Sequence, residues 1–146
     1  MENNLAVFFE RDLLKLRDEV QNFKDEDNLW RKLEGISNSA GNLALHLIGN
    51  INFHIGATLA HNGYLRNREE EFSATHIPRE EIITAITALI ELVKNTLSNL
   101  TPQQLDTVHP IDFLGPKSTA YYLLQFYGHL NYHLGQINYL RRILEG

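Results

Sequence analysis

The stretch HLNYHLGQINYLRR, from His129 to Arg142, sets two histidines four residues apart in a nearly uncharged apolar segment. On an α-helix, positions four apart lie one turn above each other on one face, so His129 and His133 are placed to chelate a single ion. That face continues through Tyr122 and Gln125 before the pair and Gln136 after it, a strip of hydrogen-bonding groups on an otherwise apolar helix. Burying such a strip requires polar partners. Upstream, Asn42, His46, Asn50 and His54 form an i, i+4 ladder in a second charge-free stretch, and the two strips would satisfy each other by facing across a core. One imidazole from the ladder would complete three histidines on one metal face, leaving positions open for water or substrate, as catalytic rather than structural sites do. Gly49, three residues after His46, opens space beside that position and favours it over His54. The competing reading is a set of buried, hydrogen-bonded histidines that hold no ion.

Other chemistries are absent. There is no cysteine, which excludes disulfides, thiolate zinc sites and a cysteine nucleophile. There is no phosphate-binding GxxxxGK[ST] loop, no GxGxxG after a strand, no GxSxG elbow, and no pair of ExxH motifs of the kind di-iron bundles carry. Ligation by histidine alone suits one borderline divalent ion. His61, His76 and His109 fall at helix ends or in loops and are read as surface residues; Asp106 and Asp112 have the setting of turn residues. The lone Trp30 is expected to anchor the connection between the first two helices.

The chain's 146 residues suit one domain, 1–146. Its net charge of −5 argues against a surface that tracks phosphates, so no nucleic-acid partner is expected. Two charge-free stretches, residues 35–65 and 118–140, are long enough to span a bilayer, but each carries several amides and imidazoles that lipid would penalise. They read as central helices of a bundle, with no membrane partner. The start MENNLAVFFERDLL lacks the form of a signal peptide, and a cytoplasmic location is expected.

Four helices must position these residues. Leu5, Phe9, Leu13, Leu16, Val20 and Phe23 recur at three- and four-residue steps in the first, which the polar run KDEDN ends. Ser37, Asn38 and Ser39 offer N-caps for the second, expected to reach Tyr64. The third begins near Pro78 with the stripe Ile82, Ile86, Leu89, Val93 and Leu97. Thr101-Pro102-Gln103-Gln104 has the form of a capping box opening a short turn, and Ser118 or Thr119 caps the last helix. Four long helices without alternating strands imply an all-α four-helix bundle. The segment YLRNREEEFSATHIP is long enough, at about 35–40 Å extended, to cross the length of the bundle, so helices two and three need not be antiparallel. Tyr121, Tyr122, Phe126, Tyr127, Tyr132 and Tyr139 cannot all face inward. Either a homodimer covers a second face of helices two and four, or a broad core lies under the long loops.

The final segment HLNYHLGQINYLRRIL resembles the helix-four motif of the DinB/YfiT-like metalloenzyme superfamily: His129, three residues, His133, one residue, then Gly135-Gln136. GNLALHLIGNINFHIGATL resembles the same superfamily's helix two, with His46 at the position of the third ligand, and GYLRNREEEFS is similar to the following connection in one uncharacterised branch. The resemblance covers nearly the whole chain. It implies an up-down-down-up bundle, usually dimeric, with a divalent ion on His46, His129 and His133. Zinc or nickel is expected first, then iron or manganese. It further implies a small-molecule substrate, a thiol cosubstrate, and thiol-dependent S-transfer, maleylpyruvate isomerisation or hydrolysis. Gln136 and Asn50 are the residues expected to orient an imidazole or a bound water. Leu134 stands where many relatives carry arginine, so any role of that charge is missing here. The alternative function is a non-catalytic dimeric bundle that binds a small molecule or a protein.

Overall fold

The apolar stripes become the buried faces of helices in a computed structural model that describes residues 2–146, with side chains from Asn4 onward. Helix α1 spans Glu2–Asn22, and its Leu5, Phe9, Leu13, Leu16 and Val20 are all buried. A 3-10 turn, Glu26–Trp30, follows. Helix α2 covers Ala40–Ile51 and runs directly into a π-helical turn, Asn52–Ala57. Short α3, Arg68–Ser73, precedes α4, Arg79–Ser98; short α5, Pro102–Asp106, precedes α6, Thr119–Glu145.

Local chemistry fixes these boundaries. Ser39, the last of the three candidate caps, accepts from the Asn42 amide, and Ser118 accepts from the Tyr121 amide at the start of α6. At α5 the Thr101 hydroxyl takes the Gln104 amide at 3.1 Å, and the Gln104 side chain returns to the Thr101 amide at 2.8 Å. Trp30 is buried with its ring across Gly41; a Cβ there would sit 2.8 Å from the ring, so this glycine lets the indole pin the α1–α2 connection.

The expected second helix differs at its end. Its α-helical hydrogen bonding stops at Ile51, and the bonds of Thr58 to Phe53 and Ala60 to Ile55 are five residues long, the π pattern. His61 and Gly63 then take positive φ angles of 52° and 78°, and the helix does not reach Tyr64. The connection expected as an extended crossover folds partway into α3, capped by the Asn67 side chain on the Glu70 amide.

Cross-helix contacts give the topology. Lys94 meets Glu10, Arg17 meets Thr87, and Arg79 donates to the Gln21 carbonyl, so α4 runs opposite to α1. Arg11 meets Tyr127, Arg141 meets Glu19, and Glu145 accepts from the Lys24 and Asp25 amides, so α6 runs with α1. His46 on α2 faces His129 while His54, in the π turn that continues it, packs on Phe126, so α2 opposes α6. The result is the up-down-down-up bundle, with the α3 segment crossing between two parallel helices. Among the described residues, no helix is long and apolar enough to cross a membrane.

Of the aromatic residues on α6, Tyr122 and Phe126 are buried, whereas Tyr121, Tyr132 and Tyr139 are exposed. The Tyr122 hydroxyl donates to the Gly115 carbonyl at 2.7 Å and accepts from the Leu114 amide at 2.8 Å, which ties the loop before α6 to its first turns. Helix α2 has no comparable free face: among residues 40–51 only Leu45 is other than fully buried, and α3 packs against it.

Candidate metal centre

Helix α2 brings His46 to the inner face of α6, where His129 and His133 stand one turn apart. Each of the three offers a ring nitrogen within 4.8 Å of the others. The His46 and His129 Nε2 atoms are 3.1 Å apart, and the three rings are mutually near-perpendicular, with interplanar angles of 81° to 89°. Nitrogens bonded to one tetrahedral zinc at about 2.0–2.1 Å lie about 3.3 Å from each other, close to the observed approach. His46 is buried, and the other two are half-buried.

Two of the rings are oriented from behind. His46 Nδ1 lies 3.0 Å from Glu71 Oε1, and Glu71 is itself held by Arg66 through Nε and Nη2, both at 2.9 Å. A carboxylate only accepts, so Glu71 places the His46 proton on Nδ1 and leaves the Nε2 lone pair facing the cluster. His133 Nδ1 lies 2.7 Å from the Gln136 side-chain oxygen, which does the same for the third ring. His129 Nδ1 is buried without a partner. Asn50 borders a cavity beside the cluster but makes no hydrogen bond to any of the three imidazoles, and its Oδ1 is buried without a partner.

Burial lowers the proton affinity of His46 and His129. His129 is pushed down to about 4 by desolvation, with the neighbouring His133 and His46 adding to it. His46 is lowered by desolvation, which outweighs the opposing pull of Glu71. Neutral imidazole is the form that binds metal, so the donor chemistry fits a divalent ion.

Gly49 makes room for a side chain from the crossover. A Cβ at that position would overlap the Glu71 carboxylate, so the glycine admits the acid to the back of His46. Glu71 and Arg66 themselves were not legible as site residues, since they sit in the run RNREEEF, which looks like a solvated charged loop. The one available signal was Gly49 among bulky neighbours, which reported that something approaches without naming it.

His54 does not join the cluster. It stacks on Phe126, with ring centroids 4.3 Å apart, and burial pushes it down to about 4. His109, expected at the surface, is buried beside it against Tyr122, and both its ring nitrogens lack hydrogen-bond partners. Loop position misled here because the loop folds inward over the start of α6: the His109 amide bonds the Lys117 carbonyl. His61 and His76 are exposed as expected, and so are Asp106 and Asp112.

The topology and the three facing histidines define the class, an all-α bundle with three histidines placed together on one inner face. Over residues 7–146 the chain matches a family model described as a protein of unknown function, DUF1572, and it belongs to that family. Its fold is similar to that of a conserved protein from Enterococcus faecalis, at a TM-score of 0.71 and 18% identity, covering 94% of this chain and 93% of the other. It is also similar to a DinB-like protein from Bacillus cereus, at a TM-score of 0.66 and 20% identity, covering 91% and 85%. At these identities the likeness is one of fold. No curated protein matches the sequence.

Proposed function

We propose that the chain is a metal-dependent enzyme in which His46, His129 and His133 hold one divalent ion, zinc or nickel in the first place. The observation that carries this reading is the convergence of three ring nitrogens within 4.8 Å, two of the rings already oriented by Glu71 and Gln136. When bound, the ion would lower the pKa of a water or thiol and supply a nucleophile near neutral pH. The protein's own residues set the conditions for that. Glu71 and Gln136 fix tautomers, Arg66 balances the charge of Glu71, and burial keeps His46 and His129 neutral. With no cysteine in the chain, a small-molecule thiol is the natural soft cosubstrate, and thiol S-transfer or hydrolysis the reaction class.

The same reading places the protein in the cytoplasm as a homodimer. The exposed strip of α6 supports the dimer: Tyr132 and Tyr139 are 66% and 65% exposed, and Leu124 and Ile143 lie on the same helix. Nothing would meet a Cβ added at Gly128 or Gly135, so a second helix has room to approach there. A test of the function is metal analysis of protein grown with zinc and nickel supplied, followed by thiol-transfer and esterase assays. Near-stoichiometric metal that is lost in His129→Ala, with activity that follows it, is the expected result. Protein free of metal after such growth would sink the reading, and metal without turnover would leave the non-catalytic binding bundle.

A further inference from the structure

Beside the cluster lies a cavity of about 330 Å³, bordered on one side by His46 and His129. Its polar lining is cationic or neutral: Arg66, Arg68, Asn50, Gln125 and histidine, with no aspartate or glutamate. The chain as a whole has 18 acidic residues against 13 basic ones, and the other hollow beside the cluster, at His133 and Gln136, is free of acid but carries no Lys or Arg. The hollow between α1 and α6 includes Asp18 and Glu19, the one behind α3 includes Glu70 and Glu71, and the one on α4 includes Glu80 and Glu81.

The two guanidiniums are differently held. Arg66 is 14% exposed and spends Nε and Nη2 on Glu71, which fixes its plane; among the described residues its Nη1 makes no hydrogen bond. Arg68 makes no ion pair among the described residues, and its guanidinium lies over the Phe72 ring, 5.2 Å from the centroid. The lining also holds an aromatic pair, Phe113 and Phe126, with centroids 6.3 Å apart and interplanar angle 27°. His54 stacks on Phe126 beside this pair, with its Nδ1 buried and unpartnered. Two guanidiniums, of which Arg68 carries the charge not balanced by Glu71, beside aromatic rings suit a carboxylate carried on a small apolar or planar body.

We infer that this cavity is the substrate subsite and that it takes a small organic carboxylate, with Arg68 and Arg66 Nη1 receiving the anion and Phe113 and Phe126 packing against its body. The inference rests on the metal-centre reading for the word substrate, but the binding itself does not need the ion. Arg68 is a binding residue that reaches the anion from the mouth of the cavity. Arg66 is anchored by Glu71 and provides a fixed direction.

The experiment is a titration of wild-type protein and Arg68→Glu, each with and without zinc. The probes are benzoate, phenylacetate and succinate, each paired with its uncharged amide, and inorganic phosphate. Binding is read from the NMR shifts of the Phe113 and Phe126 ring signals. At least one carboxylate is expected to saturate those shifts in zinc-free wild type while its amide does not. Arg68→Glu is expected to weaken that binding by about tenfold or more, and Arg68→Lys to retain most of it. Should Arg68→Glu fail to fold, Arg68→Gln serves the same comparison. The subsite is overturned if no carboxylate binds, if amides bind as well, if phosphate alone binds, or if the charge reversal changes nothing. The two readings fail separately. Carboxylate binding that depends on Arg68 stands in a protein that never holds metal, and zinc binding with carboxylate affinity indifferent to Arg68 keeps the centre and removes the subsite.

Discussion

Two groups of histidines share the α2–α6 interface, with His46 and His54 only eight residues apart on the same helical run, yet their surroundings differ in kind. Around His46, His129 and His133, ring nitrogens converge, two rings are braced by polar groups, and cavities open beside them. Around His54 and His109 the rings are packed by Phe113, Tyr122 and Phe126, their centroids stand 6.5 Å apart, and three of their four nitrogens are buried without partners. Burial depresses proton affinity at His46 and His129 as it does at His54 and His109. What separates a candidate ligand set from a packed pair is therefore the bracing behind the ring, and not burial or a shifted pKa. A helix that carries a histidine every other turn can supply either, depending on what the neighbouring segment brings.

The largest expected effect follows from removing a donor. His133→Ala should lower zinc affinity by more than about 100-fold, since disturbing a ligand's supporting residue alone costs 10–100-fold. His54→Phe should leave that affinity unchanged. A competition titration against a chromophoric chelator measures both, and equal losses in the two variants would erase the distinction between the groups.

Next comes the bracing itself. Gly49→Ala puts a methyl group where the Glu71 carboxylate lies. Expelling the acid breaks its links to His46 and Arg66, and should cost about 10–100-fold in zinc affinity and about 1–3 kcal/mol of stability. Urea denaturation of the metal-free protein separates the two effects. Unchanged zinc affinity would show that Glu71 does not orient His46.

The packed pair has a pH signature. His54 titrates at about 4 in the folded chain against an ordinary 6.5, and His109 is also lowered by burial. Between those values the unfolded chain holds more protons than the folded one, so stability is complete above about pH 6.5 and declines as pH falls toward 4. His54→Phe removes one such group while keeping the stack on Phe126, and should narrow the gap between melting temperatures at pH 7 and pH 4.5 by roughly 5–10 °C. A gap as wide as the wild type's would mean that His54 is protonated without cost in the folded state. The smallest effect belongs to the loop tie beside the packed pair: Tyr122→Phe removes a hydroxyl bonded to Gly115 and Leu114, and should cost about 1 kcal/mol in urea denaturation without altering zinc affinity.

The bundle was legible because its determinants are periodic and local. Leu5 through Val20, or Ile82 through Leu97, bury one face at helical spacing, and the caps at Ser39, Thr101 and Ser118 are set by neighbours within three residues. The i, i+4 spacing of His129 and His133 fixed their shared face in the same way. Two kinds of feature were not local. Glu71 meets His46 across 25 residues of sequence, through a crossover whose charged composition reads as solvent-facing. His109 is buried because its loop folds inward over the aromatic start of α6, which no spacing rule reports. The end of the second helix was missed for a related reason: the π turn at Asn52–Ala57 depends on backbone bonds, and the apolar pattern continues straight through it.

The central claim is that three imidazoles, His46, His129 and His133, hold one ion. X-ray absorption on the zinc-loaded protein counts them directly through the scattering of the imidazole rings. Three histidine ligands and a remaining light-atom position are predicted, falling to two histidines in His46→Ala. A spectrum with fewer than three imidazoles in the wild type, or one that His46→Ala leaves unchanged, would contradict the account.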